Sequence, residues 1–182
     1  MWQADFSGFE TDGQDVWNLG GVVDYWAKVA LACPVTVAKT AIDAIGFVDS
    51  ALAQVQVLLG ISWVQDLTDP VTGEIRKLVL VTDNAPCFKS AKFAAWIAAR
   101  RHLTHVRTRK NSPWTNGQIE RFFCSIKYED LYRNDIADGV VLGRRVENYL
   151  TVYSSVRPQE AIDMWRPLGL YRQPPKTKLP RE

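Results

Sequence analysis

The sequence predicts an α/β domain built around a mixed sheet. Three strand-like segments come first, and helices then alternate with short apolar strands. Alternation of this kind is typical of sheets that are covered by helices. The 182 residues are enough for one domain with a sizeable core, and a content of 47% apolar and 23% charged residues is ordinary for a globular protein.

The first three strands are predicted to form an antiparallel unit. Trp2–Glu10 has the pattern of a strand, and residues 15–35 contain two more strands joined by a turn at residues 24–28. A helix is predicted next, over residues 40–59, because apolar residues step by three and four and Gly60 follows as a stop. Its apolar face consists of Ala41, Ile45, Val48, Leu52, Val55 and Leu59.

Residues 77–82 form a continuous apolar run, which is typical of a strand buried on both faces. A helix is predicted over residues 90–101, and a fifth strand over residues 103–108. A polar loop, residues 108–115, then leads to a helix that begins at Thr115 or Asn116, where Thr115 and Gln118 have capping-box spacing. That helix buries Ile119, Phe122, Phe123 and Ile126, and a last helix over residues 139–154 buries Leu142, Val146, Tyr149 and Tyr153.

The chain is predicted to be one domain, residues 1–172, followed by a disordered basic, proline-rich tail, residues 173–182. No membrane partner is expected, because the longest apolar candidate, residues 22–38, is interrupted by Asp24 and Lys28. Three widely spaced cysteines argue against a disulfide scaffold and favour the cytoplasm.

Charge is divided unevenly along the chain. Residues 1–86 contain 4 lysine and arginine residues against 11 aspartate and glutamate residues, whereas residues 87–182 contain 18 against 9. A basic half of this kind points to a polyanionic partner such as nucleic acid, although a solvated surface would have the same composition.

Three carboxylates stand at positions that suggest chemistry. Asp5 lies in the middle of a strand, Asp83 directly follows a buried strand, and Glu120 lies in the first turn of a helix. Taken singly, each has an ordinary explanation: an edge strand facing water, a turn residue and a solvated helix glutamate. If the three elements converge, they offer the oxygen ligands that hard divalent cations such as Mg²⁺ prefer. Two such ions can catalyse phosphoryl transfer.

Several segments together resemble the integrase catalytic core of insertion-sequence transposases and retroviral integrases. They are "WQADF", "VTDN", "SPWTNGQIERFFCSIKYE" and a C-terminal Tyr…Arg-Pro segment, and they span most of the chain from Trp2 to Tyr171. The 36 residues between Asp83 and Glu120 are close to the family's usual spacing. The resemblance implies a ribonuclease-H-like fold with a five-stranded mixed sheet flanked by helices.

The resemblance also implies functions for individual residues. Asp5, Asp83 and Glu120 match the family's catalytic acids, which hold two Mg²⁺ or Mn²⁺ ions for DNA 3′-end cleavage and strand transfer. Lys127 matches a lysine that contacts DNA, and it lies on the same helix face as Glu120. Asn84 and Asn116 match positions beside the acids and are predicted to contact DNA.

The resemblance also implies partners that the chain does not itself contain. They are the DNA of the element ends and of the target, and further copies of the chain in a homodimer or higher multimer. The activity would take place at the nucleoid of a bacterium, with a separate N-terminal DNA-binding domain lying outside this sequence.

The sequence departs from the family after its second acid. Asn84 is followed by Ala85, Pro86 and Cys87, where the family commonly has a glycine and then a polar residue. Pro86 lacks a backbone donor, so the local turn is expected to differ. Gln159 also stands where the C-terminal segment commonly has histidine.

Basic residues before Glu120 and two histidines are further candidates for function. Arg107, Arg109 and Lys110 are candidates for phosphate contacts in the loop before Glu120, where Trp114 either stacks on a base or anchors the loop. His102 and His105 resemble half of a zinc site, but no cysteine pair accompanies them, so strand alternation is the better interpretation. Two alternative functions stay open: a degenerate core that binds DNA or assembles with partners, and a nuclease of the same fold.

Overall fold

The protein is described by a computed structural model over residues 1–108 and 116–172. Its six strands are β1 Trp2–Glu10, β2 Val16–Asp24, β3 Ala30–Ala32, β4 Val35–Thr36, β5 Leu78–Thr82 and β6 Leu103–Arg107. Its α-helices are α1 Ala41–Leu59, α2 Trp63–Leu67, α3 Pro86–Lys89, α4 Ala91–Ala98, α5 Gly117–Glu129, α6 Gly139–Ser155 and α7 Pro167–Arg172. The predicted loop at 109–115 and the predicted tail at 173–182 lie outside the described residues.

The strands form one mixed sheet in the order β3-β2-β1-β5-β6, and β4 also pairs with β2. β1 is antiparallel to β2 along its whole length, from Trp2 opposite Asp24 to Glu10 opposite Val16. On its other side β1 is parallel to β5, and β5 is parallel to β6. The predicted mixed sheet with three antiparallel leading strands, flanked by helices, is therefore confirmed.

The sheet has six strands rather than the five predicted. The difference arises at Pro34, which has no backbone N–H and cannot continue the hydrogen-bond ladder of β3. Its carbonyl oxygen still accepts a hydrogen bond from the Gly20 amide, at 2.9 Å. The chain then pairs again with β2 through Val35 and Thr36, which form the short extra strand β4.

The helix α1 begins and ends as its sequence predicts. Thr40 and Asp43 form a capping box, and Gly60 closes the helix in the left-handed region with φ 71°. By length and composition alone α1 is apolar enough to cross a membrane. Its buried face packs in the core beside the sheet, as in the core helices of many soluble proteins, and consists of Ala44, Phe47, Val48, Ala51, Leu52 and Val55.

The short helices α2, α3 and α7 were not predicted. α3 begins with Pro86, whose fixed φ suits the first helical position, so the residue expected to disturb a turn starts a helix instead. The helix predicted over residues 90–101 is shorter in the structure. It is α4, which begins after the N-cap Ser90 and ends at Ala98.

Two hydrophobic clusters lie on the opposite faces of the sheet. One contains Trp2 and Ala4 of β1 and packs against α1, α3 and α4. The other contains Phe9 of β1 and packs against α5 and α6. Since successive side chains of a strand point to opposite faces, Gln3, Asp5 and Phe9 share the face that α5 covers.

Two adjacent glycines in β2 allow helices to approach both faces of the sheet. A Cβ atom on Gly20 would lie 2.4 Å from Cδ1 of Phe47 on α1. A Cβ atom on Gly21 would lie 2.8 Å from both Cδ1 of Ile119 and Cζ of Phe123 on α5. The glycine pair therefore sets how closely α1 and α5 pack on the middle of the sheet.

The C-terminal end of α5 is held by α6 and the residues that follow it. The Tyr149 hydroxyl donates a hydrogen bond to Oε2 of Glu129 at 2.6 Å, and the Arg157 guanidinium pairs with Oε1 of the same carboxylate. The ring of Tyr153 packs edge-on against Phe122, with centroids 5.0 Å apart. The Tyr…Arg-Pro segment thus fixes the helix that carries Glu120.

We expect Gly20→Ala to lower the free energy of unfolding by about 1–3 kcal/mol, because its methyl group would overlap the Phe47 ring. The matched control is Gly46→Ala on the exposed side of α1, where a Cβ meets no atom within 4 Å. That change should stabilise the protein by up to about 1 kcal/mol through helix propensity. Urea denaturation of both variants checks the pair, and equal effects would contradict the packing argument.

Candidate active site

Asp5 lies within β1, and Asp83 directly follows the neighbouring strand β5. The parallel register pairs Gln3 with Val81 and Ala4 with Thr82, and the next residues along the two chains are Asp5 and Asp83. Neighbouring strands are about 4.8 Å apart, and residues in register point to the same face. This edge, where β5 ends, is where open α/β sheets bind ligands.

Asp5 is half-buried and is held by two hydrogen bonds. The Phe6 amide donates to Oδ1 at 2.7 Å, and the Nδ2 amide of Asn116 donates to Oδ2 at 2.7 Å. Burial, the negative charge of Asp83 and, to a lesser extent, that of Glu120 raise the pKa of Asp5 to about 7, while the Phe6 hydrogen bond and the Lys39 charge lower it. Both other predicted acids therefore act electrostatically on Asp5.

The turn after Asp83 is well formed despite its unusual sequence. Oδ1 of Asp83 accepts a hydrogen bond from the Ala85 amide at 2.9 Å. Ala85 has φ −60°, so this position needs no glycine, and its extended conformation is the usual one before proline. Nδ2 of Asn84 donates to the Thr108 carbonyl at 2.6 Å and so ties the turn after β5 to the residue that follows β6.

Glu120 is exposed in the first turn of α5, and Lys127 is half-buried two turns further along the helix. The N-cap of α5 is Asn116, so Gln118 is the second helical residue and not the third that a capping box on Thr115 requires. Thr115 itself lies outside the described residues. The Asn116 side chain makes no capping hydrogen bond and is used on Asp5 instead.

No group of three or more His, Cys, Asp or Glu side chains within residues 1–108 and 116–172 lies close enough together to hold a metal ion. The metal triad of Asp5, Asp83 and Glu120 therefore stays a prediction. The donor set nevertheless fits a hard divalent cation, since it consists of carboxylates whose mutual repulsion a cation would relieve. Oδ1 of the buried Asn116 side chain also has no hydrogen-bond partner among the described residues.

Lys39, in the segment before α1, was missed by the sequence analysis. It is exposed, and its positive charge lowers the pKa of Asp5 slightly and also lowers that of Lys127, for which burial is the larger cause. Neither lysine belongs to an ion pair among the described residues. Lys39 could not be found from sequence, because no motif or periodic pattern contains it. The predicted contacts Arg109 and Lys110 lie outside the described residues.

The two histidines contact neighbouring side chains of the fold. The ring of His102 packs edge-on against Trp63, with centroids 5.8 Å apart. Nε2 of His105 is 2.9 Å from the Thr82 hydroxyl, which also donates to the Asp83 carbonyl. His105 thus supports the end of β5 and the turn that presents Asp83.

The raised pKa of Asp5 predicts a pH-dependent stability in the absence of metal. The folded protein keeps a proton on Asp5 that the unfolded chain releases above about pH 4, so the free energy of unfolding should fall as pH rises from about 4 to about 7. Asp5→Asn should shrink the difference in stability between pH 5 and pH 8 by roughly 1–2 kcal/mol, allowing for partial exposure.

Urea denaturation in a metal chelator at the two pH values measures this difference. Asp12→Asn, a change at an exposed turn residue, is the control and should leave the pH profile as it is. An unchanged profile in Asp5→Asn would show that this carboxyl ionises normally.

Comparison with known proteins identifies the fold. Residues 101–167, which include α5, match the family model described as an integrase core domain. A chain of the simian T-cell lymphotropic virus intasome, in complex with PP2A regulatory subunit B56 gamma, is similar to the whole of this chain, with a TM-score of 0.71 and 18% identity. The present chain spans 57% of the length of that intasome chain.

Two separately solved catalytic domains are also similar. The HTLV-2 integrase catalytic core domain in complex with magnesium matches with a TM-score of 0.63 and 18% identity, over 92% of this chain and 93% of that one. The Mos1 mariner transposase catalytic domain matches with a TM-score of 0.65 and 9% identity, over 94% and 76%. The predicted resemblance is thereby confirmed: the chain has the fold of retroviral integrase and Mos1 transposase catalytic cores, and its residues 101–167 match the integrase core domain family.

Proposed function

We propose that this chain is the catalytic core of a DNA transposase or integrase, a polynucleotidyl transferase that cuts a DNA 3′ end and joins it to target DNA. The observation that carries the proposal is the electrostatic effect of Asp83 and Glu120 on Asp5, at the edge of the sheet where the pairing of β1 with β5 ends. Like-charged carboxylates gathered at one ligand-binding edge are more characteristic of a cation site than of a structural turn.

The metal requirement is supported by similar proteins. The HTLV-2 core was solved in complex with magnesium, and the Mos1 catalytic domain was solved with raltegravir and either Mg or Mn. At 9–18% identity these structures support a shared fold, and the residues of the present chain must support the chemistry. Asp5, Asp83 and Glu120 supply the oxygen donors that Mg²⁺ and Mn²⁺ require.

The three acids and Asn116 would have different roles in the site. A pair of divalent ions, when bound, activates an attacking oxygen and stabilises a leaving oxygen in phosphoryl transfer. Asp5 and Asp83 would hold these ions from the sheet, and Glu120 would supply the third carboxylate from α5. The Asn116 amide, now bonded to Oδ2 of Asp5, orients that carboxylate and leaves one lone pair of the oxygen available.

DNA would be held beside the acids by lysines. The charge of Lys39 acts on both Asp5 and Lys127, and neither lysine is neutralised by an ion pair within residues 1–108 and 116–172. Two neighbouring cations without acidic partners suit the phosphates of a DNA strand. Arg109 and Lys110 would extend this contact, and Asn84 would hold the loop that carries them.

The proposed partners are element-end DNA, target DNA and further copies of the chain. The HTLV-2 core was solved in dimeric and trimeric forms, which supports multimers of this fold. We propose a cytoplasmic location, because Cys33, Cys87 and Cys124 are all free thiols, as is usual in a reducing compartment.

Asp83→Asn and Glu120→Gln should each reduce strand transfer on end-mimicking DNA with Mn²⁺ by about 10³-fold, equivalent to about 4 kcal/mol, because each removes a charged metal ligand. Glu147→Gln is the control, since Glu147 is an exposed helix glutamate on α6. Sequencing gels separate cleaved from joined products, and calorimetry measures Mn²⁺ binding by the same variants.

Each alternative function gives a different result in these assays. Cleavage that depends on the acids without joined products would replace the transferase by a nuclease. Undetectable carboxylate-dependent Mn²⁺ binding, together with retained DNA binding, would replace it by a degenerate binding core. Wild-type strand transfer by Asp83→Asn would overturn the assignment of the triad.

Lys39→Ala and Lys127→Ala should each reduce the slope of log affinity for DNA against log salt concentration by about one, as expected for the loss of one phosphate contact. Lys92→Ala removes an exposed lysine on α4 and should leave the slope unchanged. Fluorescence anisotropy with labelled DNA at several salt concentrations measures all three. A Lys39→Ala slope equal to that of Lys92→Ala would exclude Lys39 from the DNA contact.

A further inference from the structure

Gln3 is a buried polar residue on the strand that carries Asp5. Only 1% of its surface is exposed, and it precedes Asp5 by two residues, so both side chains lie on the face that α5 covers. A buried amide is retained at low cost only when its hydrogen bonds are made. The partners of Gln3 therefore show what this position does.

Oδ and Oε oxygens are good acceptors for the free amides at the start of a helix, and Gln3 uses its oxygen in this way. Oε1 of Gln3 accepts hydrogen bonds from the backbone amides of Gln118 at 3.0 Å and Ile119 at 3.1 Å. The first four amides of a helix have no partner within the helix and usually bond to a side chain close in sequence. Here the acceptor comes from a residue 115 positions earlier in the chain.

The N-cap residue of α5 does not take this role. Asn116 makes no side-chain capping bond, and its Nδ2 amide donates to Oδ2 of Asp5 at 2.7 Å. Side-chain hydrogen bonds thus run in both directions between β1 and α5. The Gln3 oxygen accepts from backbone amides of the helix, and the Asn116 amide donates to the Asp5 carboxylate of the strand. Glu120 directly follows Ile119, so these bonds act one residue away from the third predicted acid.

Gly21 allows this contact from the neighbouring strand. It lies directly opposite Asp5 in the β1–β2 ladder. Its missing side chain leaves room for Ile119 and Phe123, both of which a Cβ atom would meet at 2.8 Å. The first turn of α5 can therefore come close enough to the sheet for the Gln3 oxygen to reach two of its amides.

We propose that Gln3 is a positioning residue that caps α5 from the sheet and thereby sets the position of Glu120 relative to Asp5 and Asp83. The inference rests on the proposed function, in which Glu120 is a metal ligand. Gln3 would act without contacting metal or DNA, since its oxygen bonds to backbone amides of α5. Its effect reaches the site through the backbone of the first helical turn.

The test uses Gln3→Met, which has a similar shape but lacks the strong acceptor. Calorimetric titration with Mn²⁺ should show binding about 10–100-fold weaker, the range typical when a residue that orients a metal ligand is lost. Glu120→Gln should weaken binding at least as much. The double variant should be no weaker than Glu120→Gln alone, because Gln3 acts only through Glu120.

A second readout is independent of metal and of activity. Amide hydrogen exchange at Gln118 and Ile119 should be faster in Gln3→Met, while exchange in the middle of α5 stays protected. If Gln3→Met does not fold, Gln3→Asn serves instead, because its shorter side chain keeps the amide but withdraws the oxygen from the helix. Thr11→Val is the matched control, because Thr11 is a buried polar residue, 4% exposed, whose hydroxyl donates to the Asp15 carbonyl between β1 and β2.

The outcomes separate the two proposals. If Gln3→Met binds Mn²⁺ as the wild type does while Glu120→Gln binds it weakly, the positioning role is wrong and the proposed function stands. If Thr11→Val weakens Mn²⁺ binding as much as Gln3→Met, the effect is one of general stability and the positioning role is again wrong. If Glu120→Gln changes neither Mn²⁺ binding nor strand transfer, the proposed function itself fails.

Discussion

The parallel pairing of β1 with β5 is the constraint on which the rest of the site depends. It brings Asp5 and Asp83 to adjacent positions on one sheet edge, where partial burial strengthens their repulsion. Donors around Asp5 offset part of that cost, namely the Phe6 amide and the Asn116 side chain. Carboxylates that repel one another in a partly buried place are characteristic of sites that bind a positively charged ligand.

The helix that completes the site is held at both ends. Its first turn is bound by Gln3 and packs into the space left by Gly21. At its last turn, Glu129 receives hydrogen bonds from Tyr149 and Arg157. Contacts from the sheet and from α6 therefore limit how α5 can slide or tilt, and the short distance from Ile119 to Glu120 transmits that restraint to the acid.

The sequence predicted elements whose signal is local and periodic. The strand Trp2–Glu10 has the predicted bounds, because its residue pattern and the turn that follows it are both local signals. The helix α6 differs from its predicted range by a single residue. Features that depend on distant partners could not be predicted. The two bonds from Gln3 to α5 join residues 115 and 116 positions apart, and the bond from Asn116 to Asp5 depends on the same approach of α5 to β1. β4 was missed because two residues after a proline carry too weak a pattern.

If Asp5 ligates a metal as proposed, its raised pKa would couple metal binding to the pH of the solvent. Burial and the neighbouring acids raise the pKa of this carboxyl to about 7, so its protonated form is favoured up to near-neutral pH. A carboxylate must lose its proton to ligate a cation, so loading would expel a fraction of a proton into the buffer. The heat of Mn²⁺ binding would then change with the ionisation enthalpy of the buffer, and the fraction of a proton released per site could be read from that change. A proton on Asp5 removes one negative charge from beside Asp83 and Glu120 and so offsets part of the repulsion among the three carboxylates.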